Sequence, residues 1–340
     1  MTAVTLSVDA MGGDRGVANV VASSLAALER HPELSVVLVG DEQLVKQTLD
    51  SCGGADHARV RVQHASQVVA MDESAASAVR GKKDSSMRVA INLVKSGEAH
   101  ACISAGNTGA LLATAKFVLK TLPGIDRPAL CSAIPGENSR AYMLDLGANL
   151  ESSAQNLYQF ALMGSELVKA VHGTAAPRIG LLNVGSEDMK GVEEVREASK
   201  LLAASSLNYH GFIEGDQIYK SVVDVVVCDG FVGNVSLKSS EGVARFVTQA
   251  LKAEFKGSLW GKISALVAMP VLKAFASRVN PDRYNGASML GLNGVVVKSH
   301  GGANEFAFGN AIDLAVVEGV KNVPAKIAKQ LADNSSAETA

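Results

Sequence analysis

Five small polar turns, rich in glycine and asparagine, each follow an apolar run in this 340-residue chain. Glycine allows the backbone to approach an anion closely, and an asparagine side chain offers both a hydrogen-bond donor and an acceptor. Turns of this composition suit the binding of a small anion such as phosphate. They comprise residues Asp9–Asp14, Ser104–Gly109, Asp145–Asn149, Asn183–Gly191 and Asp229–Asn234.

Several side chains in or near these turns could take part in chemistry. Lys190 could neutralise phosphate or protonate a leaving group, although a single lysine is more often a solvated surface residue. Ser104 and Asn107 could hold a phosphate at the start of a helix capped by Thr108, and an ordinary strand-to-helix turn is the alternative. His300, which ends the last apolar run, could act as an acid or base, or only orient its loop.

Three aspartates, Asp9, Asp145 and Asp229, lie at or near the ends of apolar runs. Three carboxylates could indicate a metal site, but their neighbours are glycines and amides rather than further carboxylates. We therefore interpret them as acceptors for loop N–H groups and expect neither a metal nor a cofactor. The sequence also has no Gly-x-Gly-x-x-Gly after the first apolar run and no Walker lysine, which argues against a dinucleotide site and a P-loop.

The chain has four cysteines, and their spacing matches no metal motif. Three of them lie in apolar runs, so we predict a reduced protein without disulfides. A thioester substrate could invite attack by Cys102, but no histidine is placed to activate it.

Short apolar runs alternate with helical patterns along most of the chain. This alternation predicts a doubly wound α/β fold, with a mostly parallel sheet and helices on both faces. Ligands bind such sheets at the carboxyl ends of the strands, so we expect the turns to form one polar crevice. The predicted strands are Thr5–Asp9, Val36–Gly40, Val60–Gln63, Ala101–Ser104, Leu130–Ile134, Tyr142–Leu146, Ile179–Val184, Asn208–Phe212, Val223–Cys228 and Val295–Ser299.

The predicted helices include Gly16–Arg30, Ser85–Lys95, Thr108–Leu122, Ala154–His172, Val192–Ala204, Val235–Lys256 and Asn304–Lys321. The strands Leu130–Ile134 and Tyr142–Leu146 are separated by a loop too short for a parallel crossover, so we predict that they are antiparallel.

The segment 258–280 interrupts the alternation. Its apolar side chains recur at helical spacing, its charged residues are all basic, and Pro270 should kink the helix. This combination suits an amphipathic helix at a membrane surface, whereas a helical hairpin packed on the body or on a second subunit is the alternative. The side chains expected to contact a membrane are Trp260, Ile263, Leu266, Val267 and Val271.

The overall composition narrows the class of protein. The net charge of −2 argues against a general nucleic-acid binder. There is no N-terminal signal pattern and no uncharged apolar run of about 18 residues, so we expect a cytoplasmic protein without a transmembrane span. We predict one α/β catalytic unit over residues 1–330, with two subdomains around a central cleft as an alternative, and a disordered tail over residues 335–340.

The ordered set of turns closely resembles the bacterial phosphate acyltransferases, the PlsX family of phospholipid synthesis. The resemblance runs from about residue 4 to about residue 325. Two positions depart from the family pattern: Ser186, where glutamate is more frequent, and Val232, where threonine is frequent. The segments that carry the resemblance are Asp9–Asp14, Ser104–Gly109, Asp145–Asn149, Asn183–Gly185, Cys228–Val235 and Lys298–Gly301.

The resemblance implies transfer of a fatty acyl group from acyl-acyl-carrier protein to inorganic phosphate. The acyl-phosphate product would then serve a membrane acyltransferase acting on glycerol 3-phosphate. The resemblance also implies an architecture like that of isocitrate/isopropylmalate dehydrogenase and phosphotransacetylase. It further implies a homodimer at the inner face of the cell membrane. Lys190 and Asn234 would be catalytic. The residues expected to bind substrate or phosphate are Asp9, Gly12, Gly13, Ser104, Gly106, Asn107, Thr108, Asp145, Asn149, Asn183, Gly185, Asp229, Gly233 and His300.

Four other functions fit parts of the pattern. A phosphotransacetylase-like enzyme would use acyl-CoA instead of a carrier protein. A hydroxyacid dehydrogenase would need a nicotinamide pocket and acidic metal ligands, which the sequence does not display. A non-enzymatic membrane scaffold would bind vesicles without phosphate-dependent turnover, and a cysteine-nucleophile transferase would need an activated Cys102.

Overall fold

The computed structural model describes residues 3–187 and 189–338, and for residues 335–338 it describes the backbone alone. One mixed sheet of eleven strands runs through the centre of the described chain. The strands are β1 Val4–Asp9, β2 Leu34–Gly40, β3 Val60–His64, β4 Ala101–Ser104, β5 Ala129–Pro135, β6 Arg140–Leu144, β7 Ile179–Leu182, β8 Tyr209–Ile213, β9 Val225–Val227, β10 Ala287–Leu290 and β11 Val295–Lys298.

Helices connect most of these strands. They are α1 Gly16–Arg30, α2 Glu42–Ser51, α3 Ala75–Gly81, α4 Ser86–Lys95, α5 Thr108–Leu119, α6 Ala154–His172, α7 Glu193–Ala203, α8 Gly230–Lys256, α9 Leu259–Val279, α10 Glu305–Lys321 and α11 Val323–Glu338. Helix α11 continues past Ser335, where the sequence suggested the start of a disordered tail, and residues 339–340 of that tail lie outside the described residues.

The strand order is β3-β2-β1-β4-β11-β10-β5-β6-β9-β7-β8. Strands β1 to β4 and β11 are parallel to one another. Strand β10 is antiparallel to both of its neighbours, and β5 and β6 form the antiparallel pair that the short loop predicted. Strands β6, β9, β7 and β8 are again mutually parallel. They therefore run in the direction opposite to β1, β4 and β11.

The sheet is buried because helices cover both faces. Helices α1 and α10 pack on one face of the first half, and α4 and α5 on the other, while α6 and α11 cover one face of the second half. Central strands accordingly carry apolar side chains on both faces: in β2, Val36 and Leu38 pack into one buried cluster, while Val37 and Val39 pack into the other. The predicted α/β fold class is confirmed.

Some elements differ from the sequence prediction. Strand β10 and helices α2, α3 and α11 were not among the predicted elements. Helix α8 begins at Gly230 rather than Val235, because Asp229 caps it by accepting a hydrogen bond from the N–H of Val232. Strand β6 ends at Leu144, two residues earlier than predicted, so Asp145 begins the turn.

Helices α8 and α9 form a hairpin whose apolar side chains remain largely on the surface. Helix α9 has no buried residue and continues through Pro270. Trp260 is 78% exposed, Leu266 72% and Val267 80%. By length and composition alone, the stretch Leu259–Tyr284 could cross a membrane, and it is the one such stretch in the described residues. The hairpin therefore presents a large unpartnered apolar surface.

Candidate active site

The turns after β1 and β4 contact each other through a buried hydrogen-bonded pair. The hydroxyl of Ser104 donates to Oδ2 of Asp9 at 2.6 Å, and the N–H of Gly106 donates to Oγ of Ser104 at 3.0 Å. A Cβ atom at Gly12 would lie 2.6 Å from Oδ2 of Asp9, so glycine is required for this close approach. Burial raises the pKa of Asp9, and the hydrogen bond from Ser104 partly offsets that rise.

The turn after β11 lies against the turns that follow β1 and β4. The N–H of Asp14 donates to the carbonyl of Gly301 at 2.8 Å. Lys298 is only 8% exposed, and its ammonium donates to the carbonyls of Ala105 and Ser299. Burial lowers the pKa of Lys298 to about 8, although the nearby carboxylates of Asp14 and Asp9 favour its charged form.

Lys298 was not among the predicted site residues. The sequence feature that could have identified Lys298 is its position: it is a lysine at the end of an otherwise apolar strand, two residues before the predicted site residue His300.

The start of α5 differs from the prediction at its cap. Asn107, not Thr108, is the N-cap: its Oδ1 accepts from the N–H of Ala110 at 2.9 Å. Its Nδ2 donates to the carbonyl of Met71 at 2.6 Å. Both ends of the Asn107 amide are therefore engaged within the protein, while Thr108 is exposed in the first turn of the helix.

His300 is exposed beside this group. The ring Nδ1 of His300 accepts a hydrogen bond from the N–H of Gly302 at 3.1 Å. The backbone N–H of His300 donates to Oδ1 of Asn285. The turns after β1, β4 and β11, which we call the first-edge loops, thus bring together Asp9, Gly12, Gly13, Ser104, Gly106, Asn107, Thr108 and His300.

The turn after β6 is organised by Asp145, which is fully buried. Its carboxylate accepts from the N–H groups of Leu130, Ala148 and Asn149 and from Nδ2 of Asn149, at 2.7–3.0 Å. Nδ2 of Asn149 also donates to the carbonyl of Pro128 at 2.9 Å. Burial raises the pKa of Asp145, and these hydrogen bonds oppose the rise. Both side chains thus hold the turn, the role that we favoured for the aspartates.

The start of α8 packs closely against the turn after β6. A Cβ atom at Gly233 would overlap the carbonyl of Asp145, so the close contact requires glycine. Asn234 is the residue after Gly233 in α8. A Cβ atom placed on Gly147, which lies in the turn after β6, would be 3.4 Å from Cβ of Asn234. Asn234 is therefore an exposed side chain placed directly over the turn after β6.

The turn after β7 carries Lys190 on the surface. Its Nζ lies 2.7 Å from Oε1 of Glu187, and this hydrogen bond raises the pKa of Lys190. Nδ2 of Asn183 donates to the carbonyls of Gly185 and Lys190, both at 3.1 Å, and so holds the loop closed. A Cβ at Gly185 would lie 2.9 Å from Nζ of Lys190. Residue 188 of this turn lies outside the described residues.

The turns do not all follow the same ends of the strands, as the prediction of one crevice assumed. The turns after β6, β7 and β9, which we call the second-edge loops, lie at the opposite edge of the sheet from the first-edge loops. The reason is the strand direction: the β5–β6 pair is antiparallel, and β6, β7 and β9 continue the reversed direction.

Helix α8 connects the two groups of loops. Asn234 lies at the second-edge loops, and Lys238 follows one helical turn later on the same face. The charge of Lys238 is near enough to lower the pKa of Lys298 in the first-edge loops. The first three turns of α8 thus extend from one group of loops to the other.

A cleft of about 950 Å³ opens beside the second-edge loops. The first turns of α6, α7 and α8 contribute Asn156, Glu194 and Phe231 to its wall. Its apolar residues suit a hydrocarbon chain, whereas its carboxylates make it a poor site for phosphate. The apolar residues are Leu150, Leu157, Val192, Val195 and Phe231, and the charged residues are Asp126, Arg127, Glu151, Glu194 and Asp229.

The described residues support neither a metal site nor a nucleophilic Cys102. Among the residues with described side chains, no group of three or more His, Cys, Asp or Glu could hold a metal ion. Cys102 is fully buried in β4, and burial raises its pKa, so it stays a protonated thiol.

Comparison with known proteins identifies the family. Residues 4–326 match a family model described as "fatty acid synthesis protein". A protein of Alkalilimnicola ehrlichii named phosphate acyltransferase is 56% identical over 328 residues, which cover 96% of each chain. The fold resembles a phosphotransacetylase from Streptococcus pyogenes, with a TM-score of 0.64, 18% identity and 94% of each chain covered.

It also resembles 4-hydroxythreonine-4-phosphate dehydrogenase from Klebsiella pneumoniae, with a TM-score of 0.54, 15% identity, and 93% of this chain and 98% of that chain covered. At these identities the two structures inform on the fold alone. The family model and the sequence relative cover nearly the whole chain, and the chain therefore belongs to the phosphate acyltransferase family of fatty acid synthesis proteins.

Proposed function

We propose that the chain transfers a fatty acyl group from acyl-acyl-carrier protein to inorganic phosphate, forming acyl-phosphate and free carrier. The observation that carries the proposal is the position of α8, whose first turns link Asn234 at the second-edge loops to Lys238 near Lys298. One helix face can thereby bring a phosphate and an acyl thioester into contact. Holding two reactants together in this way supplies much of the rate acceleration in a bimolecular transfer.

In this mechanism the nucleophile is the substrate phosphate. A phosphate oxygen attacks the thioester carbonyl, a C–O bond forms, and the C–S bond breaks as the tetrahedral intermediate collapses. The departing thiolate takes up a proton and leaves with the carrier. A covalent cysteine intermediate is not part of the proposal, because burial keeps Cys102 protonated and out of reach.

Lys190 and Asn234 are the proposed catalytic residues. The partnership with Glu187 raises the pKa of Lys190, so Lys190 carries its positive charge at neutral pH. A charged ammonium can stabilise the developing oxyanion or protonate the thiolate. Asn234 is exposed over the turn after β6, where its amide could hold the acyl carbonyl or a phosphate oxygen.

We place the phosphate at the first-edge loops. The start of α5 presents a positive helix end there, and Lys298 adds a buried positive charge close to Ser104 and Gly106. The side chains of Asp9 and Asn107 would act indirectly, since each is already engaged in holding its turn. The acyl chain would occupy the 950 Å³ cleft beside the second-edge loops.

The exposed helix α9 supports a location at the inner face of the cell membrane. Trp260, Ile263, Leu266, Val267 and Val271 leave their apolar side chains in solvent, and the basic residues nearby would favour anionic lipid. A cytoplasmic enzyme held at that surface could pass acyl-phosphate to a membrane glycerol-3-phosphate acyltransferase. The exposed apolar residues of α8, such as Phe246, would be covered in a homodimer.

A donor comparison tests the proposal. Purified protein would receive the same acyl group on carrier protein or on CoA, with and without inorganic phosphate, and loss of thioester would be followed. We expect phosphate-dependent loss with the carrier. Faster phosphate-dependent loss with CoA would favour a phosphotransacetylase-like activity, and vesicle binding without any turnover would favour a membrane scaffold.

A further inference from the structure

An exposed aromatic ring on α5 is held between two cations. Phe117 is 51% exposed. Cζ of Arg88 lies 4.9 Å from the centre of its ring, and Nζ of Lys120 lies 5.0 Å from it. A cation at this distance is attracted to the face of an aromatic ring. Phe117 thus presents exposed apolar surface next to positive charge.

Beside this ring, α3 and α5 border an open, shallow pocket of about 540 Å³. Its apolar part is formed by Ala75, Ala76, Val79, Ala113 and Phe117. A pocket of that size and composition can receive an apolar side chain from another protein.

Four cations line the pocket or lie over the Phe117 ring. We call this surface, with Phe117 and the pocket, the Phe117 patch. Within the described residues none of its cations forms a salt bridge, whereas lysines elsewhere, such as Lys46 and Lys200, are ion-paired on their own helices. The patch therefore keeps a positive potential, although the chain as a whole is slightly acidic. The cations are Arg80, Arg88, Lys116 and Lys120.

The Phe117 patch is connected to the proposed phosphate site by one rigid helix. Helix α5 begins at Thr108 in the first-edge loops, and Phe117 follows nine residues later, roughly 14 Å along the helix axis. The loop before α3 is tied to the same place, because Nδ2 of Asn107 donates to the carbonyl of Met71. A partner bound at the patch would lie within reach of the site for a flexible arm along α5.

We propose that the Phe117 patch is the docking surface for an acidic protein that delivers the acyl thioester. An apolar side chain of an acidic helix enters the pocket beside Phe117, and carboxylates around that side chain pair with the surrounding cations. An apolar centre with a charged rim has the anatomy of a protein interface, and the rim charges speed association and select the partner. This inference rests on the proposed function, because it takes the acyl carrier protein as the partner.

A charge-reversal pair tests the docking surface. Arg80→Glu/Lys116→Glu changes two lining residues of the pocket, and Lys46→Glu/Lys200→Glu makes the same change in net charge on α2 and α7. Binding of acyl carrier protein would be measured by fluorescence anisotropy, without turnover. We expect the first variant to weaken binding by at least about tenfold and the second to leave it within about twofold. Thermal unfolding of both variants checks that each is folded.

Kinetics provide the second readout. The Arg80→Glu/Lys116→Glu variant should raise KM for the acylated carrier with little change in kcat, and should leave KM for a small acyl-pantetheine thioester unchanged. Equal carrier binding by the wild type and this variant, or equal weakening in both variants, would overturn the docking proposal. If the Arg80→Glu/Lys116→Glu variant lost binding to phosphatidylglycerol vesicles but still bound the carrier, the docking proposal would also be overturned, and the patch would be assigned to lipid binding. If the carrier binds but no donor is turned over, the proposed function fails while the docking surface stands.

Discussion

A buried carboxyl group on α10 should make the stability of this protein depend on pH. Glu318 is 1% exposed, and the hydroxyl of Ser288 donates to its Oε2 at 2.7 Å, while Oε1 is buried without a hydrogen-bond partner. Burial raises the pKa of Glu318 from 4.5 to about 8. An ionised carboxylate with an unpartnered oxygen is costly in the interior, so the folded protein holds Glu318 protonated at neutral pH.

The sign of the effect follows from the raised pKa. The unfolded chain releases this proton near pH 4.5, but the folded chain retains it to about pH 8. The stabilising contribution is fully present below pH 4.5 and is lost as pH rises to about 8. At about 1.4 kcal/mol per pH unit, the total loss is roughly 5 kcal/mol at most. Glu318→Gln has no proton to lose, so its stability should not show this decline.

Chemical denaturation at a series of pH values from 5 to 9 would measure the effect. The free energy of unfolding of Glu318→Gln relative to the wild type should increase with pH up to about pH 8 and then level off. Glu305→Gln is the matched control, because Glu305 is exposed at the start of the same helix. A difference between Glu318→Gln and wild type that stays constant from pH 5 to pH 9 would refute the reasoning.

Three further predictions concern function. Lys190→Ala should lower kcat by roughly 100- to 1,000-fold through the loss of an oxyanion or thiolate partner, with folding intact, whereas the exposed Lys200→Ala should be near wild type in the same thioester assay. Near-normal turnover in Lys190→Ala would remove it from the mechanism. Cys102→Ala should retain most activity, and a loss of several hundredfold in a folded variant would point to a cysteine nucleophile. Leu266→Glu/Val267→Glu should release the protein from anionic vesicles in a flotation assay yet keep its activity on soluble substrate, and persistent binding would show that α9 only packs against protein.

Much of the fold could be predicted because the central strands are short and almost entirely apolar, which makes them easy to recognise in the sequence. Runs such as Leu34–Gly40 and Val225–Val227 are almost entirely apolar, which only a sheet covered on both faces can bury. Strand β10, Ala287–Leu290, was missed because four residues of mixed polarity resemble a loop. Its place between β5 and β11 is set by tertiary pairing rather than by local sequence.

The reversal of strand direction between the two groups of turns was missed, although the sequence held a signal for it. The short loop between β5 and β6 predicted an antiparallel pair, and such a pair reverses the direction of the strands that follow in parallel. The turns that begin at Asp145, Asn183 and Asp229 therefore had to lie at the edge opposite Asp9 and Ser104. The role of α8 as the connection could not be inferred, because it depends on where Lys238 lies relative to Lys298.

The central claim is that inorganic phosphate itself attacks the acyl thioester. The most direct test is to incubate the purified protein with acyl-acyl-carrier protein and phosphate and to trap acyl-phosphate with hydroxylamine. After subtraction of the hydroxamate that hydroxylamine forms directly from the thioester without enzyme, the account predicts acyl hydroxamate in proportion to the thioester consumed, and no such excess when phosphate is omitted. Consumption of the thioester to free fatty acid without hydroxamate, at a rate independent of phosphate, would contradict it.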